Sequence, residues 1–138
     1  MNEVKEKILE VLETYDAIMI ATTGGEYSPW ILGAYFGIDE LKIYVLLETN
    51  GKSLSNIKIN NKVAISISKN DAMLDFIQGF GEAVILDPDE DKFVRDKILA
   101  KMPSFQTYTP VTPVRIDIKK YLITSLQNGW FPAKLLEV

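Results

Sequence analysis

Near its N-terminus the chain places Val4, Ile8, Val11, Leu12 and Tyr15 at helical spacing, which predicts a helix from about Glu3 to Tyr15 whose apolar stripe covers one end of a sheet. After it the period shortens. Ala17 to Thr23 is short and apolar and ends at Gly24-Gly25, a turn into a second strand from Pro29 to Gly37. Ile38-Asp39-Glu40 reads as the next turn and Lys42 to Glu48 as a third strand. A short helix beginning at Lys52 then crosses to a fourth strand, Val63 to Ser68. Phe76 to Leu86 is a long fifth strand, and Gly79 and Gly81 inside it predict a bulge or a close backbone approach. Asp87-Pro88-Asp89-Glu90 is a helix start, with Asp87 as N-cap, Pro88 at the first helical position and Glu90 at the third. That helix carries Phe93, Val94, Ile98 and Met102 and stops before Pro103. Pro103 to Pro113 reads as a surface loop and Val114 to Thr124 as a sixth strand. In the tail from Asn128 to Val138, Trp130 and Phe131 are expected to be core or dimer contacts, because such rings contribute mainly buried area. Short strands, tight turns and few helices predict a mainly β fold, a small six-stranded antiparallel barrel with flanking helices.

Composition narrows the chemistry more than the architecture. At 138 residues, 47% of them hydrophobic, the chain is expected to form one domain over residues 1–138, large enough to bury a core without metals or bridges. The absence of cysteine excludes disulfides, cysteine-ligated clusters and thiol catalysis, and fits a reducing cytoplasm. The absence of histidine removes the commonest general base, the usual zinc ligand and the usual haem ligand together, and no metal site is expected. A net charge of −4 without a basic block argues against a nucleic-acid surface. No apolar run approaches a membrane span, and the N-terminus is charged and amphipathic where a signal peptide would be basic and then apolar. A cytoplasmic protein without nucleic-acid or membrane partners is the expectation.

The richest chemistry lies between Gly51 and Ile67. Gly51-Lys52-Ser53, one or two amphipathic turns, an Asn60-Asn61 break and an alternating strand make a compact anion site beside a sheet. Backbone N–H groups at a helix N-terminus, a lysine ammonium and a serine hydroxyl are together complementary to a phosphate monoester. Taken alone, the same residues read equally well as a purely structural loop, an ordinary turn followed by a helix cap. A nucleoside triphosphate loop is disfavoured, since Leu46 stands where its first glycine belongs.

With the hairpin Ile18 to Thr23, Gly24-Gly25 and Pro29-Trp30-Ile31-Leu32, the Lys52-Ser53 helix, Asn60-Asn61-Lys62-Val63, and Gly81-Glu82-Ala83-Val84, the chain resembles the FMN-binding split barrels related to pyridoxamine 5′-phosphate oxidase. The likeness runs from about Val11 to Thr124 and rests on the order and spacing of these pieces. It implies a split barrel in which Lys52 and Ser53 hold the FMN phosphate, with further contacts from the loop at Thr49 and Asn50. The flavin ring then lies along the second strand, against Gly33, Ala34 and Tyr35. It also implies a homodimer with the cofactor at the subunit interface, and an FMN-dependent oxidoreductase acting on a small molecule. A non-catalytic flavin-binding or electron-carrier module and a deazaflavin-dependent reductase are the alternatives. Pyridoxamine phosphate oxidases proper use arginines for phosphate, whereas this chain has only Arg95 and Arg115, in other segments, and lacks their C-terminal arginine signature. Vitamin B6 oxidation is therefore not implied. No catalytic side chain is assigned, because hydride transfer to or from a flavin requires no side-chain base.

Overall fold

The computed structural model describes residues 2–138. Helix α1 (Asn2–Thr14) leads into strands β1 (Ala17–Thr22), β2 (Trp30–Tyr35), β3 (Gly37–Asp39) and β4 (Lys42–Glu48). Helix α2 (Lys52–Ile59), strands β5 (Lys62–Ile67) and β6 (Phe76–Ile85), helix α3 (Asp91–Lys101) and strands β7 (Val111–Ser125) and β8 (Trp130–Glu137) follow. All strand pairs are antiparallel, in the order β2-β1-β5-β6-β7-β4-β3, with β8 added beside β7. The predicted class, a mainly β antiparallel barrel with flanking helices, is what is found. Its strand count is eight, however, and not six.

Both extra strands lie where turn and tail signals hid them. The segment predicted as one strand from Pro29 to Gly37 breaks at Phe36, which is wholly buried, and resumes as β3 through Ile38 and Asp39, residues read above as a turn. The reversal comes at Glu40, whose φ of 55° supplies the left-handed residue it needs. The tail read as core or dimer contacts is β8, with Trp130 in register with Ser125, and Leu135 with Leu122. The cause is the length of β7. On one edge it pairs with β6 throughout Val114–Thr124; on the other, β4 occupies Val111–Ile116, leaving Lys120–Ser125 for β8. Pro113, read above as the end of a loop, belongs to β7 and takes part through its carbonyl, which accepts from Leu86 N–H at 2.9 Å.

Local patterning explains the rest. A helix of 13 residues is marginal alone, so α1 is held by the burial of Ile8, Val11 and Leu12, worth about 1.5–3 kcal/mol each. β4 does not alternate because both faces are covered: Ile43, Val45 and Leu47 enter the main core, while Tyr44 and Leu46 meet Val94 and Ile98 of α3. Ahead of α3, Pro88–Glu90 forms a 3₁₀ turn, and the Asp87 side chain makes no capping bond. The predicted bulge is present between Phe80 and Gly81. A Cβ at Gly81 would lie 2.7 Å from Ile118 Cα, so β6 and β7 approach there as only glycine permits.

Candidate functional site

The order of strands leaves β2 at one edge of the curled sheet and the β3–β4 hairpin at the other. Helix α2 crosses from the end of β4 and packs near β1, β2 and β4. Its first turn therefore stands beside β2 and the end of β4.

That turn lacks a protein cap. Gly51 N–H donates to Glu48 O at 3.0 Å, and Ser55 N–H makes the first intrahelical bond, to Gly51 O at 3.2 Å. The N–H groups of Lys52, Ser53 and Leu54 precede that bond, and Gly51 at the N-cap has no side chain to accept from them. The partial positive charge of a helix start thus faces outward. Beside it Ser53 is 3% exposed, and its Oγ has no hydrogen-bond partner; it is the only such buried side-chain atom among the described residues. Leaving a buried hydroxyl unpaired costs about 1–3 kcal/mol, which a ligand acceptor would relieve.

Two small cavities flank this turn. One, of about 210 Å³, is lined by Trp30, Leu32, Glu48, Asn50, Gly51, Lys52 and Ser53. The other, of about 230 Å³, lies across Lys52 and is walled by Glu26, Tyr27, Asn50, Gly51, Lys52, Ser55 and Asn56. Lys52 Nζ lies 4.8 Å from the Tyr27 ring centroid and 5.5 Å from that of Trp30, and the two rings meet edge-on at 5.8 Å. Glu48 lines the first cavity, and its Oε2 accepts from Thr109 Oγ1, outside that lining, at 3.2 Å.

The seven residues singled out in the sequence separate into three groups. Asn50, Lys52 and Ser53 converge on the first cavity. Thr49 turns to β7: its hydroxyl bonds Thr112 Oγ1 at 2.9 Å and its N–H donates to Pro110 O at 3.0 Å. Gly33 and Tyr35 point to the outer face of β2, where a Cβ at Gly33 would touch Met19 Sδ at 3.1 Å, whereas Ala34 packs inward on the core. These three share an edge strand, so contact with one ligand would run along the backbone rather than through side chains of one face.

No family sequence model and no curated protein sequence matches the chain. Solved structures do. ChuZ of Campylobacter jejuni superposes with a TM-score of 0.81 at 16% identity, over 99% of this chain and 60% of that one. A candidate pyridoxamine 5′-phosphate oxidase from Listeria innocua gives 0.70 at 19% identity, over 86% and 96% of the two chains. The chain has the split-barrel fold of the pyridoxamine 5′-phosphate oxidase-like proteins. A heme binding protein from Mycobacterium smegmatis shares the split barrel, at a TM-score of 0.73 and 13% identity over 94% of this chain and 57% of that one. At such identities the likeness establishes the fold.

Sequence reasoning missed Tyr27, Trp30, Leu32, Glu48 and Asn56 as site walls of this split barrel. Asn56 carried a usable signal, since it lies four residues after Lys52 and so on the same helix face. The aromatic pair carried none that points to α2, because only the fold brings that loop to the helix. A larger cavity of about 570 Å³ lies elsewhere, between the β3–β4 turn and β7, lined by Asp39, Glu40, Lys42, Tyr44, Asp117 and Lys119 among others. It mixes both signs of charge, Asp117 is paired with Arg115 at 2.8 Å, and it holds no unpartnered buried side-chain atom. No helix among the described residues is long and apolar enough to cross a membrane.

Proposed function

We propose that this protein binds FMN, with the phosphate at the first turn of α2 and the flavin ring along β2, and that it is an FMN-dependent oxidoreductase acting on a small molecule. The observation that carries the reading is the buried, unpartnered Oγ of Ser53, a residue that lines a cavity beside an uncapped helix start and a lysine. A phosphate supplies acceptors for the hydroxyl, the free N–H groups and the ammonium at once. Trp30 and Leu32 line that cavity and Gly33 to Tyr35 continue the same strand, so a ligand with a phosphate at one end and a planar ring at the other follows β2. Gly33 is about 10 Å further along than Trp30, at ~3.3 Å per residue. When bound, the flavin supplies the redox chemistry, and the protein supplies orientation and electrostatics. The chain has no histidine, the usual axial ligand of haem, which favours flavin over the ligand in the name of the M. smegmatis protein.

The second part of the proposal is a homodimer with the cofactor between subunits. Met19, Ile31, Tyr35, Phe80 and Leu135 are 42–59% exposed, and register places them on the outward face of adjacent strands, with Met19 opposite Gly33 and Ala64 between Ala21 and Phe80. An apolar sheet face of this kind is unfavourable in water, and stable dimers bury on the order of 2,000 Å² or more. Light scattering at micromolar concentration should give a dimer mass; a monomer would count against the interface and the shared site.

The cofactor is tested by the absorbance spectrum and mass of whatever copurifies. A flavin spectrum with the mass of FMN is expected, while a deazaflavin mass or no chromophore would overturn the assignment. Bleaching by NAD(P)H, followed by reoxidation with an added acceptor, would support turnover. A bound flavin that no physiological reductant reaches would make the protein a carrier.

A further inference from the structure

We infer that Tyr27 and Trp30 are positioning residues which hold the Lys52 ammonium at the mouth of the Ser53 cavity and so set the protein's preference for a phosphorylated ligand; this rests on the phosphate reading above. Two acidic residues, Glu26 and Glu48, line the cavities on either side of this lysine. Among the described residues Lys52 makes an ion pair with neither. Its ammonium sits instead over two aromatic rings. The distinction is chemical. A carboxylate would neutralise the lysine and compete with an incoming phosphate, whereas a ring quadrupole attracts the cation and leaves its full charge in place. An ammonium has three N–H donors, so contact with the rings leaves donors for a phosphate.

The backbone of the loop that carries Tyr27 is itself tied to the helix that carries the lysine. Asn56 is 1% exposed; its Nδ2 donates to Tyr27 O at 2.6 Å and to Thr22 Oγ1 at 3.0 Å. Asn60 Nδ2 donates to Thr23 Oγ1 at 3.1 Å, and Gly24 N–H to Ser28 Oγ at 3.1 Å. Trp30 is held in register with Thr22 on β1. One turn after Lys52, α2 therefore grips the loop whose rings lie under that ammonium. Lys52 and Tyr27 are both exposed, so the rings restrict the four-carbon side chain only in part, and that part of its freedom is not lost when phosphate arrives.

The test is the ratio of FMN to riboflavin affinity, measured by titrating apo protein with each ligand and following flavin fluorescence. A merely structural role would move both affinities together and leave the ratio fixed. Tyr27→Leu and Trp30→Leu should each lower the ratio by about two- to fivefold through loss of FMN affinity alone, and the double variant by about tenfold. Tyr27→Phe keeps the ring and should keep the ratio. A ratio that falls in Lys52→Ala but holds or rises in both leucine variants would overturn this inference and leave the phosphate reading standing. A ratio unchanged in Lys52→Ala, or no flavin binding by the parent protein, would overturn both.

Discussion

Among the described residues four lysines lay an ammonium over an aromatic ring, and two of them, Lys52 and Lys101, have surroundings that give them opposite uses. Lys101, at the end of α3, brings its Nζ to 3.3 Å from the centroid of the wholly buried Phe36 and donates to Leu12 O at 2.8 Å. Leu12 lies in the last turn of α1, so a cation from another helix satisfies a carbonyl that α1 leaves free. Burial pushes this ammonium down to about 8, against a smaller opposing pull from Asp16. Lys52 lies exposed at the start of its helix, with two rings and no ion pair among the described residues. Contact with an aromatic ring does not by itself define a lysine's role. What decides is whether its donors and its charge are already engaged by the protein.

Exchanging the defects tests that distinction. Lys52→Ala should weaken FMN binding by about ten- to a hundredfold, the loss of one charge-assisted contact, while riboflavin binding and the melting temperature hold. Lys101→Ala should do the reverse, lowering stability by about 1–3 kcal/mol through the abandoned Leu12 carbonyl, with FMN affinity intact. Denaturant titration and fluorescence titration of both variants make the comparison. If either variant lost both properties, the two lysines would not be separable.

Ser53→Ala sharpens the same contrast within the site. The hydroxyl is unpartnered in the free protein, so its removal should leave ligand-free stability unchanged or raise it. FMN affinity should nevertheless fall by about two- to tenfold. A loss of stability in the ligand-free protein would show that Ser53 already has a structural partner.

The smallest expected effect is a dependence on pH. Lys101 titrates near 8 when folded and near its ordinary 10.5 when unfolded, so between those values the unfolded chain binds more protons. Its burial penalty is fully present below about 8, and stability is regained as pH rises toward 10.5. Lys101→Met keeps the apolar stem and removes the titration. Chemical denaturation from pH 7.5 to about 10.5 should therefore show the parent gaining on the variant, by an amount reduced because the lysine is partly solvated. A constant difference across that range would sink this account of Lys101.

Much of the framework was legible because it is written in local periods. The stripe of α1, the short apolar run of β1, the alternation of β5, and the break at Asn60 each depend on neighbours a few residues away. Gly81 was legible for a different reason, since a glycine within a strand signals a close approach whatever the partner. β3 and β8 were not, because β3 has only three residues and β8 contains Pro132 and does not alternate, so each becomes a strand only by pairing with β4 or β7. The site divides the same way. Lys52 and Ser53 follow turn chemistry that sequence displays, whereas Tyr27 and Trp30 come from a hairpin loop that α2 captures through Asn56, across 34 residues from Thr22.

Strand β7 carries a consequence for how the protein is made. Without it the preceding chain holds two unconnected pieces, the β2-β1-β5-β6 sheet and the β3–β4 hairpin, each with a bare edge on β6 or β4. A nascent chain on the ribosome therefore cannot close its barrel until residues 111–125 have emerged, and those two edges stay open to adhesion meanwhile. The joining contacts are also distant in sequence, which makes closure a late and slow event. A strand that mates with both pieces is equally able to mate with those of a neighbouring copy. Crowded synthesis thus exposes this protein to exchange of β7 between chains.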